Sequence, residues 1–457
     1  MASGVKAVRY QSSGLAIATV IAAVSFGLAP AKAETLLQAL ASAYANNPTL
    51  NAQRAALRAT DEGVPQALSG YRPTVSGSIQ VGTAETNSQS YNPRTYSLTV
   101  EQPIFTGFRT TNSVKMAETA VLAGREQLRG TEQSTLLSAV TAFMDLVKAQ
   151  ANLNLQKQNV DFLQQQLNAA NDKLKVGEGT KTDVAQTQYS LAAGQSQYDA
   201  AVATLNTAIA TYEQVIGHRP TSLGAAKPID GLLPKSLDSA LAAGMGDNPN
   251  VLAASYNIDV ASYNVNVLEG ALLPSVGLTG TVSHSDEPSA SVHGGVDSAS
   301  LMAGINIPIY TPGQDSKVRE AKETLGQRRI EHDAAVASMR QSVISAWGSL
   351  DAARAQARAA NAQVTAQTLA LSGVEEQHKV GQSTQLDVLN AQQNLLSAKL
   401  AQVTAEHDRV VAAYQLSAAV GMLSAQRLGL QVAHYDATNH YKQVRDKWFG
   451  LRTPDGR

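Results

Sequence analysis

The chain contains no cysteine and few aromatic residues. The missing thiols exclude disulfide bonds, thiolate metal sites, cysteine nucleophiles and attachment of a lipid to a cysteine. Aromatic residues make up 5% and charged residues 16% of the sequence, against roughly 25% charged residues in an average globular protein. This composition favours long, closely packed helices over a compact core with large aromatic anchors. The formal net charge of −1 gives no sign of a nucleic-acid partner.

A secretory signal is predicted at the N-terminus. Basic residues precede a largely apolar stretch from Gly14 to Ala29, and Ala31-Lys32-Ala33 matches a cleavage site with small residues. We expect residues 1–33 to be a signal peptide that is cleaved between Ala33 and Glu34. The alternative is a retained membrane anchor, which is disfavoured because a spanning helix needs about 20 apolar residues.

The remaining sequence contains an internal duplication. Asn47-Pro48 recurs as Asn248-Pro249, and Val176–Val184 recurs as Val380–Val388. The conserved order and nearly constant spacing of the matches indicate a duplicated domain and not a solenoid of short repeats. The expected divisions are a signal peptide, a first repeat, a second repeat and a C-terminal tail, at 1–33, 34–230, 231–421 and 422–457.

Each repeat contains a pair of segments with alternating apolar and polar residues, which is the pattern of strands in a sheet that is wet on one face. The predicted strands lie at about 73–86, 94–104, 274–284 and 299–310. Beyond residue 33 no stretch has 18 consecutive apolar residues, so we expect no transmembrane helix and assign any membrane crossing to the strands. The alternative is a pair of ordinary surface hairpins.

Each repeat opens with a shorter helix, which is followed by the strand pair and then by a long stretch without proline. The predicted long helices and their return helices lie at about 109–175, 180–217, 314–379 and 384–420. At about 1.5 Å per residue, each long helix is a rod of roughly 100 Å. Apolar residues in these helices alternate at spacings of three and four, as in coiled coils. A solvated coiled coil would explain these seams equally well, but it would not explain the strands.

The strands point to an oligomer. Four strands per chain are too few to close a membrane barrel, which needs about eight. An open sheet would leave unpaired edges in lipid, which is not tolerated. The missing strands must therefore come from other copies of the chain, in a number that the residues alone do not fix.

The turn segments and the tail carry a family resemblance. V-G-E-G-T-K-T-D-V (Val176–Val184), V-G-Q-S-T-Q-L-D-V (Val380–Val388) and the stretch from Tyr435 to Gly450 resemble the TolC family of outer-membrane factors. The resemblance implies an α+β membrane protein, in which a homotrimer forms a 12-stranded β-barrel, four strands per chain, continuous with a long α-helical coiled-coil barrel. It also implies a Gram-negative outer-membrane location, a periplasmic adaptor, an inner-membrane RND or ABC transporter, surrounding outer-membrane lipid and no cofactor.

The resemblance further implies roles for residues in and beside the turns. The implied adaptor-docking residues are Val176, Gly177, Val380 and Gly381. The implied residues of the pore constriction and its latch are Asp387, Asn390, Asp183, Thr182, His378 and Ser383. Taken alone, the glycines permit a chain reversal, and the aspartates are solvated charges that a helix dipole favours.

The gate residues depart from the pattern of the best-known family members. Asn390 stands where such channels can carry a second acid, and Ser383 stands where they can carry an arginine. His378 stands where a tyrosine can contact the aspartate that matches Asp183. The entrance is therefore expected to be less acidic and differently latched.

The first functional hypothesis is an exit duct for tripartite efflux or type I secretion. The alternative is a periplasmic coiled-coil adaptor or a surface structural protein without a pore, although neither a retained anchor nor a lipoyl-like domain is visible. The eight histidines are scattered without metalloprotease spacing. We therefore predict no catalytic site and no metal site.

The cleavage site gives a direct prediction. Mass spectrometry of the protein purified from outer membranes should show a free amino terminus at Glu34 and no lipid, because no cysteine is present to carry one. Retention of residues 1–33 would contradict the assignment.

Overall fold

The computed structural model describes residues 33–224, 226, 228–292 and 294–456. The predicted signal peptide lies outside the described residues except for Ala33. The described chain contains two repeats, each of which passes through short helices and strands into a long helix and its return helix.

The elements of the first repeat are α1 (Leu36–Asn46), α2 (Pro48–Asp61), α3 (Gly63–Leu68), β1 (Thr74–Val81), β2 (Ala84–Thr86), β3 (Gln89–Tyr91), β4 (Arg94–Phe105), α4 (Arg109–Lys175) and α5 (Lys181–Ile216). Those of the second repeat and the tail are α6 (Leu237–Asp247), α7 (Pro249–Gly270), β5 (Ser275–Asp286), β6 (Gly295–Asn306), α8 (Gln314–Lys379), α9 (Gln385–Val420) and α10 (Asn439–Val444).

The helices α4 and α8 dominate the fold, with 67 and 66 residues. Neither contains a proline, so the helical hydrogen bonds run without a break for about 100 Å. A residue at positive φ precedes each one, Phe108 before α4 and Gly313 before α8, and turns the chain sharply out of the strands. None of the helices in the described ranges is both long and apolar enough to cross a membrane.

The core lies at the middle of the long helices. One buried cluster joins α1, α4, α5 and α9 around Phe143, Tyr212 and Tyr414. A second cluster joins α6, α8 and α9 around Val343 and Leu416. Both lie away from the sheet and from the ends of the helix pairs, and a smaller buried cluster of Leu163, Leu191 and Leu389 joins α4, α5 and α9 nearer the turns.

The strands form an antiparallel sheet in the order β1-β4-β5-β6. The outer strands β1 and β6 are exposed along their whole length. Apolar side chains such as Ile79 and Leu301 lie on this exposed surface. Within the described part of the protomer, two sheet edges and much apolar strand surface are thus left without a partner.

The strand limits differ from those expected. β1 ends at Val81 instead of near residue 86, and β2 and β3 form a separate small hairpin. The main ladder stops there because Pro93 accepts from the Gly82 amide but has no N–H to return. β6 begins earlier, at Gly295, which pairs with Asp286. It also ends earlier, before Pro308.

The repeats share one helix joint. The Asn47 side chain caps α2 and donates from Nδ2 to the Val215 carbonyl at 3.1 Å. Asn248 caps α7 and donates to the Ala419 carbonyl at 3.0 Å. Each asparagine therefore starts a short helix and ties it to the end of a return helix.

The glycines at these joints predict unequal effects of one substitution. Gly217 and Gly421 end the return helices at φ of 94° and 89°. A Cβ at Gly217 would meet the Asn46 Cβ at 3.5 Å, an ordinary contact, whereas a Cβ at Gly421 would overlap the Asp247 carbonyl. Gly217→Ala should cost about 1 kcal/mol from backbone strain alone, and Gly421→Ala should cost more because the backbone must move.

Circular dichroism of the purified oligomer on heating measures the difference. Gly421→Ala is expected to lose its helical signal at a lower temperature than Gly217→Ala. Equal melting temperatures of the two variants would show that the close contact at Asp247 is relieved without a cost in stability.

Candidate functional site

Two turns reverse the long helices, and we call them the helix tips. The first tip, Val176–Thr180, joins α4 to α5, and the second, Val380–Thr384, joins α8 to α9. Gly177 and Gly381 adopt φ of 82° and 75°, a conformation that glycine reaches without strain. The sequence repeat is therefore also a repeat of backbone geometry.

The same backbone hydrogen bonds close both tips. The Glu178 amide donates to the Lys173 carbonyl at 2.9 Å, and the Gln382 amide donates to the Gln377 carbonyl at 2.8 Å. This arrangement satisfies carbonyls that the ends of α4 and α8 would otherwise leave unpaired.

An apolar side chain lies exposed on each tip. Val176 is 72% exposed and Val380 is 70% exposed. A Cβ placed on Gly177 or Gly381 would have no neighbour within 4 Å. The described chain thus presents two small apolar knobs on open surfaces.

A capping box begins each return helix. The Thr180 amide donates to Asp183 Oδ2, and the Asp183 amide donates to Thr180 Oγ1, both at 3.1 Å. Thr384 and Asp387 exchange the same bonds at 2.8 and 3.2 Å. Hydrogen bonds from the threonine hydroxyl and amide lower the pKa of both aspartates. Both carboxylates are therefore held in the charged form at neutral pH.

His378 links the two tips. Its Nδ1 lies 2.9 Å from the Ser383 carbonyl and so donates to it, which leaves Nε2 to accept from Lys173 Nζ at 2.9 Å. The Ser383 hydroxyl donates to the Val374 carbonyl at 3.4 Å. Asp183, which the resemblance pairs with position 378, hydrogen-bonds to Thr180 of its own tip.

Amide side chains join the hairpins above the tips. Gln385 Nε2 donates to Gln166 Oε1 at 3.0 Å, and Gln392 Nε2 donates to Asn159 Oδ1 at 3.4 Å. These bonds connect α9 to α4 beside a groove between α5 and α9, where Asn390 lies. The contact between α4 and α9 is therefore held by uncharged polar groups together with the buried leucines Leu163 and Leu389.

The remaining predicted site residues lie on the surface or at the other end of the repeat. Thr182 and Asp387 are exposed in the first turns of α5 and α9. Glu34 pairs with Leu223 in a parallel bridge, and its carboxylate lies 3.2 Å from His218 Nε2. Ala33, on the other side of the predicted cleavage site, is exposed.

Sequence reasoning missed Lys173 and the amide bonds. A lysine in the last turn of a helix is common and carries no pattern that marks it as a partner for His378. The glutamines of the seam occur among many others in these helices. In the part of the chain that the structure describes, no group of three or more His, Asp or Glu residues is arranged to hold a metal ion.

Comparison with known proteins places this geometry in a wider group. The family described as "Outer membrane efflux protein" matches residues 39–218 and 244–422. The chain is 46% identical over 429 residues to Outer membrane efflux protein BepC of Brucella suis biovar 1, which covers 93% of this chain and 94% of BepC. It is 22% identical to Alkaline protease secretion protein AprF of Pseudomonas aeruginosa, over 76% of this chain and 73% of AprF.

A solved structure has the same fold. The Campylobacter jejuni CmeC outer membrane channel superposes with a TM-score of 0.77 at 17% identity, over 90% of this chain and 89% of CmeC.

Proposed function

The chain belongs to the outer membrane efflux protein family, and we propose that it works as a homotrimer in which the sheets of neighbouring copies pair edge to edge. It is an outer-membrane channel, an exit duct for efflux or secretion. The family consists of channels that are not enzymes.

The unpaired edges of the sheet support this assembly most directly. Among the residues that the structure describes, β1 and β6 each lack a neighbour on one side. In lipid, every backbone donor and acceptor must pair, so an open edge requires another strand. Because the sheet is antiparallel throughout, β6 of one copy and β1 of the next run in opposite directions and satisfy this need.

Engineered disulfides test the pairing. Ser76 and Ser300 lie at one level of the sheet, through Thr99 and Thr281. Within one chain the intervening strands separate them by about 14 Å, whereas a disulfide needs Cα atoms within about 7 Å. A bond between them can therefore form only between copies.

The experiment pairs Ser76→Cys in turn with a cysteine at every second residue of β6 from Val296 to Asn306, the positions on the same face as Ser300, because closing tilted strands into a barrel staggers the strands of neighbouring copies by several residues. The native chain adds no background thiol. One pair is expected to give a covalent oligomer ladder on a non-reducing gel, and each single variant serves as its control. A correctly located protein that cross-links in none of the pairs would contradict edge pairing.

We assign the helix tips to docking of a periplasmic adaptor that connects the channel to an inner-membrane RND or ABC transporter. The exposed Val176 and Val380 support this role, since small apolar knobs suit burial at a protein interface. The name of BepC refers to efflux and that of AprF to protease secretion. Both kinds of transport system remain within the proposal.

Charge at the tips should abolish docking without disturbing the fold. Val176→Asp and Val380→Asp keep both glycines and both capping boxes, so the outer-membrane oligomer should persist while adaptor cross-linking and export are lost. Val176→Ile and Val380→Ile are the matched controls and should bind. Normal export by the double aspartate variant would remove the tips from the docking surface.

We further propose that Asp387 lines the periplasmic entrance and that Asp183, His378 and Ser383 belong to its latch. In a symmetric oligomer, copies of an exposed Asp387 surround one axis and attract multivalent cations. Their repulsion opposes the lowering of the pKa by Thr384. Asn390, one turn later, adds no charge to the ring.

Planar-bilayer conductance tests this assignment. Asp387→Asn keeps a side-chain oxygen that can accept from the Thr384 amide, so the helix start survives while the charge is removed. Block by trivalent cations should fall sharply. Asp183→Asn should instead raise the basal conductance, because it removes a negative charge that attracts Lys173 and so loosens the Lys173–His378 contact. Unchanged block in a folded Asp387→Asn oligomer would leave Asp387 as a helix cap only.

A further inference from the structure

The C-terminal tail runs along the helices towards the sheet. Its contacts are, in order, Tyr435 N with Tyr44 Oη at 3.1 Å, His440 Nδ1 with Asp61 Oδ2 at 3.0 Å, Arg445 Nη2 with Glu118 Oε1 at 3.4 Å and Lys447 O with Arg72 Nη1 at 2.8 Å. The partners move from α1 to the end of α2, then to the start of α4, and finally to the residue that nearly adjoins β1. The tail therefore delivers its last described residues to the rim of the sheet.

Buried and paired groups anchor the approach. Asp61 and Val444 are fully buried, and His440 is nearly so. Arg125 lies over the Tyr441 ring at 5.4 Å. Because these contacts lie along the whole approach, the tail has a defined path and does not lie loosely on the surface.

The end of the tail has the opposite character. Trp448, Phe449 and Leu451 are 65%, 89% and 103% exposed. Gly450 has φ of 112°, which lets the chain bend between Phe449 and Leu451. Lys447 Nζ donates to the Arg452 carbonyl and closes this bend. We call residues 447–452 the C-terminal foot.

The foot combines apolar side chains with cations. The guanidinium of Arg72 lies 4.9 Å from the Trp448 ring centroid, and Lys447 and Arg452 flank the aromatic pair. An aromatic and aliphatic cluster bordered by Lys and Arg suits the boundary between acyl chains and phosphate groups. The same cluster in water would be an unfavourable apolar patch.

Other residues mark the same level of the molecule. The exposed apolar residues next to the helix-side ends of the strands are Tyr71, Phe108, Leu272, Leu273, Ile309 and Tyr310. Aromatic side chains concentrate where a membrane meets water. The foot thus continues a rim of interfacial residues that the strand ends begin.

We propose that the C-terminal foot binds the phospholipid leaflet at the periplasmic rim of the sheet, with Trp448, Phe449 and Leu451 among the acyl chains and Lys447 and Arg452 at the phosphates. This binding rests on the sheet standing in the outer membrane. A phospholipid surface fits the foot because the apolar cluster lies beside the strand ends and because Lys447 and Arg452 are cationic, while the adjoining Asp446 is paired with Arg445. The foot is a second membrane attachment, separate from the strands.

Tryptophan fluorescence tests the contact in the full-length oligomer. The chain has two tryptophans, so Trp347→Phe leaves Trp448 as the sole fluorophore. The protein is reconstituted in phosphatidylethanolamine and phosphatidylglycerol vesicles, with or without lipids brominated near the glycerol end of their acyl chains. Brominated lipid should quench Trp448, whereas aqueous iodide should quench it weakly. Trp448→Phe, which retains Trp347 on α8, is the matched control and should escape the brominated lipid.

Other occupants of the foot give different results. Strong iodide quenching without a bromine effect would place Trp448 in water, and protection from both quenchers would place it against a second copy of the chain. Either result overturns the proposal. Adding Phe449→Ser and Leu451→Ser to the Trp347→Phe variant should abolish bromine quenching. Pairing of the sheets is scored separately by the β1–β6 disulfide, and insertion by co-flotation of the protein with the vesicles after an alkaline wash. A lost bromine effect in native-tail protein that passes both tests refutes the foot alone.

Discussion

The need of every backbone group for a hydrogen-bond partner governs this molecule. A helix satisfies that need within itself, but a sheet satisfies it only at its inner strands. Because β1 and β6 have unpaired outer edges in the described chain, the sheet of one protomer needs strands from neighbouring copies to pair its backbone groups, as proposed above. The apolar side chains on the strands would be unfavourable on the surface of a soluble monomer. They become favourable when the sheet is part of a closed assembly surrounded by lipid.

Duplication brings both halves of the protomer to the same geometry and then lets their chemistry differ. The tips share their backbone bonds, and the asparagine joints share their caps. Yet Lys173 at the end of α4 faces His378 at the end of α8, and the Gly421 joint is tighter than the Gly217 joint. A homotrimer of such a chain alternates two kinds of helix pair around its axis. The proposed adaptor would therefore meet two different kinds of helix pair.

Much of this architecture is readable from sequence because its signals are long. The expected fold class and the TolC-family resemblance are confirmed by the family match and by the channel structures. A proline-free run of more than 60 residues allows few other interpretations than a long helix. The strand limits are harder to predict, because a single proline, Pro93 directly before β4, decides where the pairing with β1 stops.

The contacts between tips were not readable from sequence. His378 was identified by its position, but its neighbour across the gap depends on how two hairpins lie side by side, and that arrangement leaves no periodic signal. The aspartates show a related limit. Their role as helix caps follows from the spacing between Thr384 and Asp387, whereas their surroundings in an assembled entrance depend on other copies. The tail was recognised by its motif, while its course along α2 and α4 depends on pairings such as His440 with Asp61.

The length of the rods has a mechanical consequence. Beyond the larger core near Val140, the buried cluster of Leu163, Leu191 and Leu389 holds α4 about 18 Å from its end, at 1.5 Å for each residue. A rotation of about 3° at that cluster moves the end of α4 by roughly 1 Å, enough to break a hydrogen bond. Small changes in the packing of α4 therefore displace its end by a distance comparable to the tolerance of a hydrogen bond. The 2.9 Å contact between Lys173 and His378 is therefore sensitive to small rotations of α4 relative to α8.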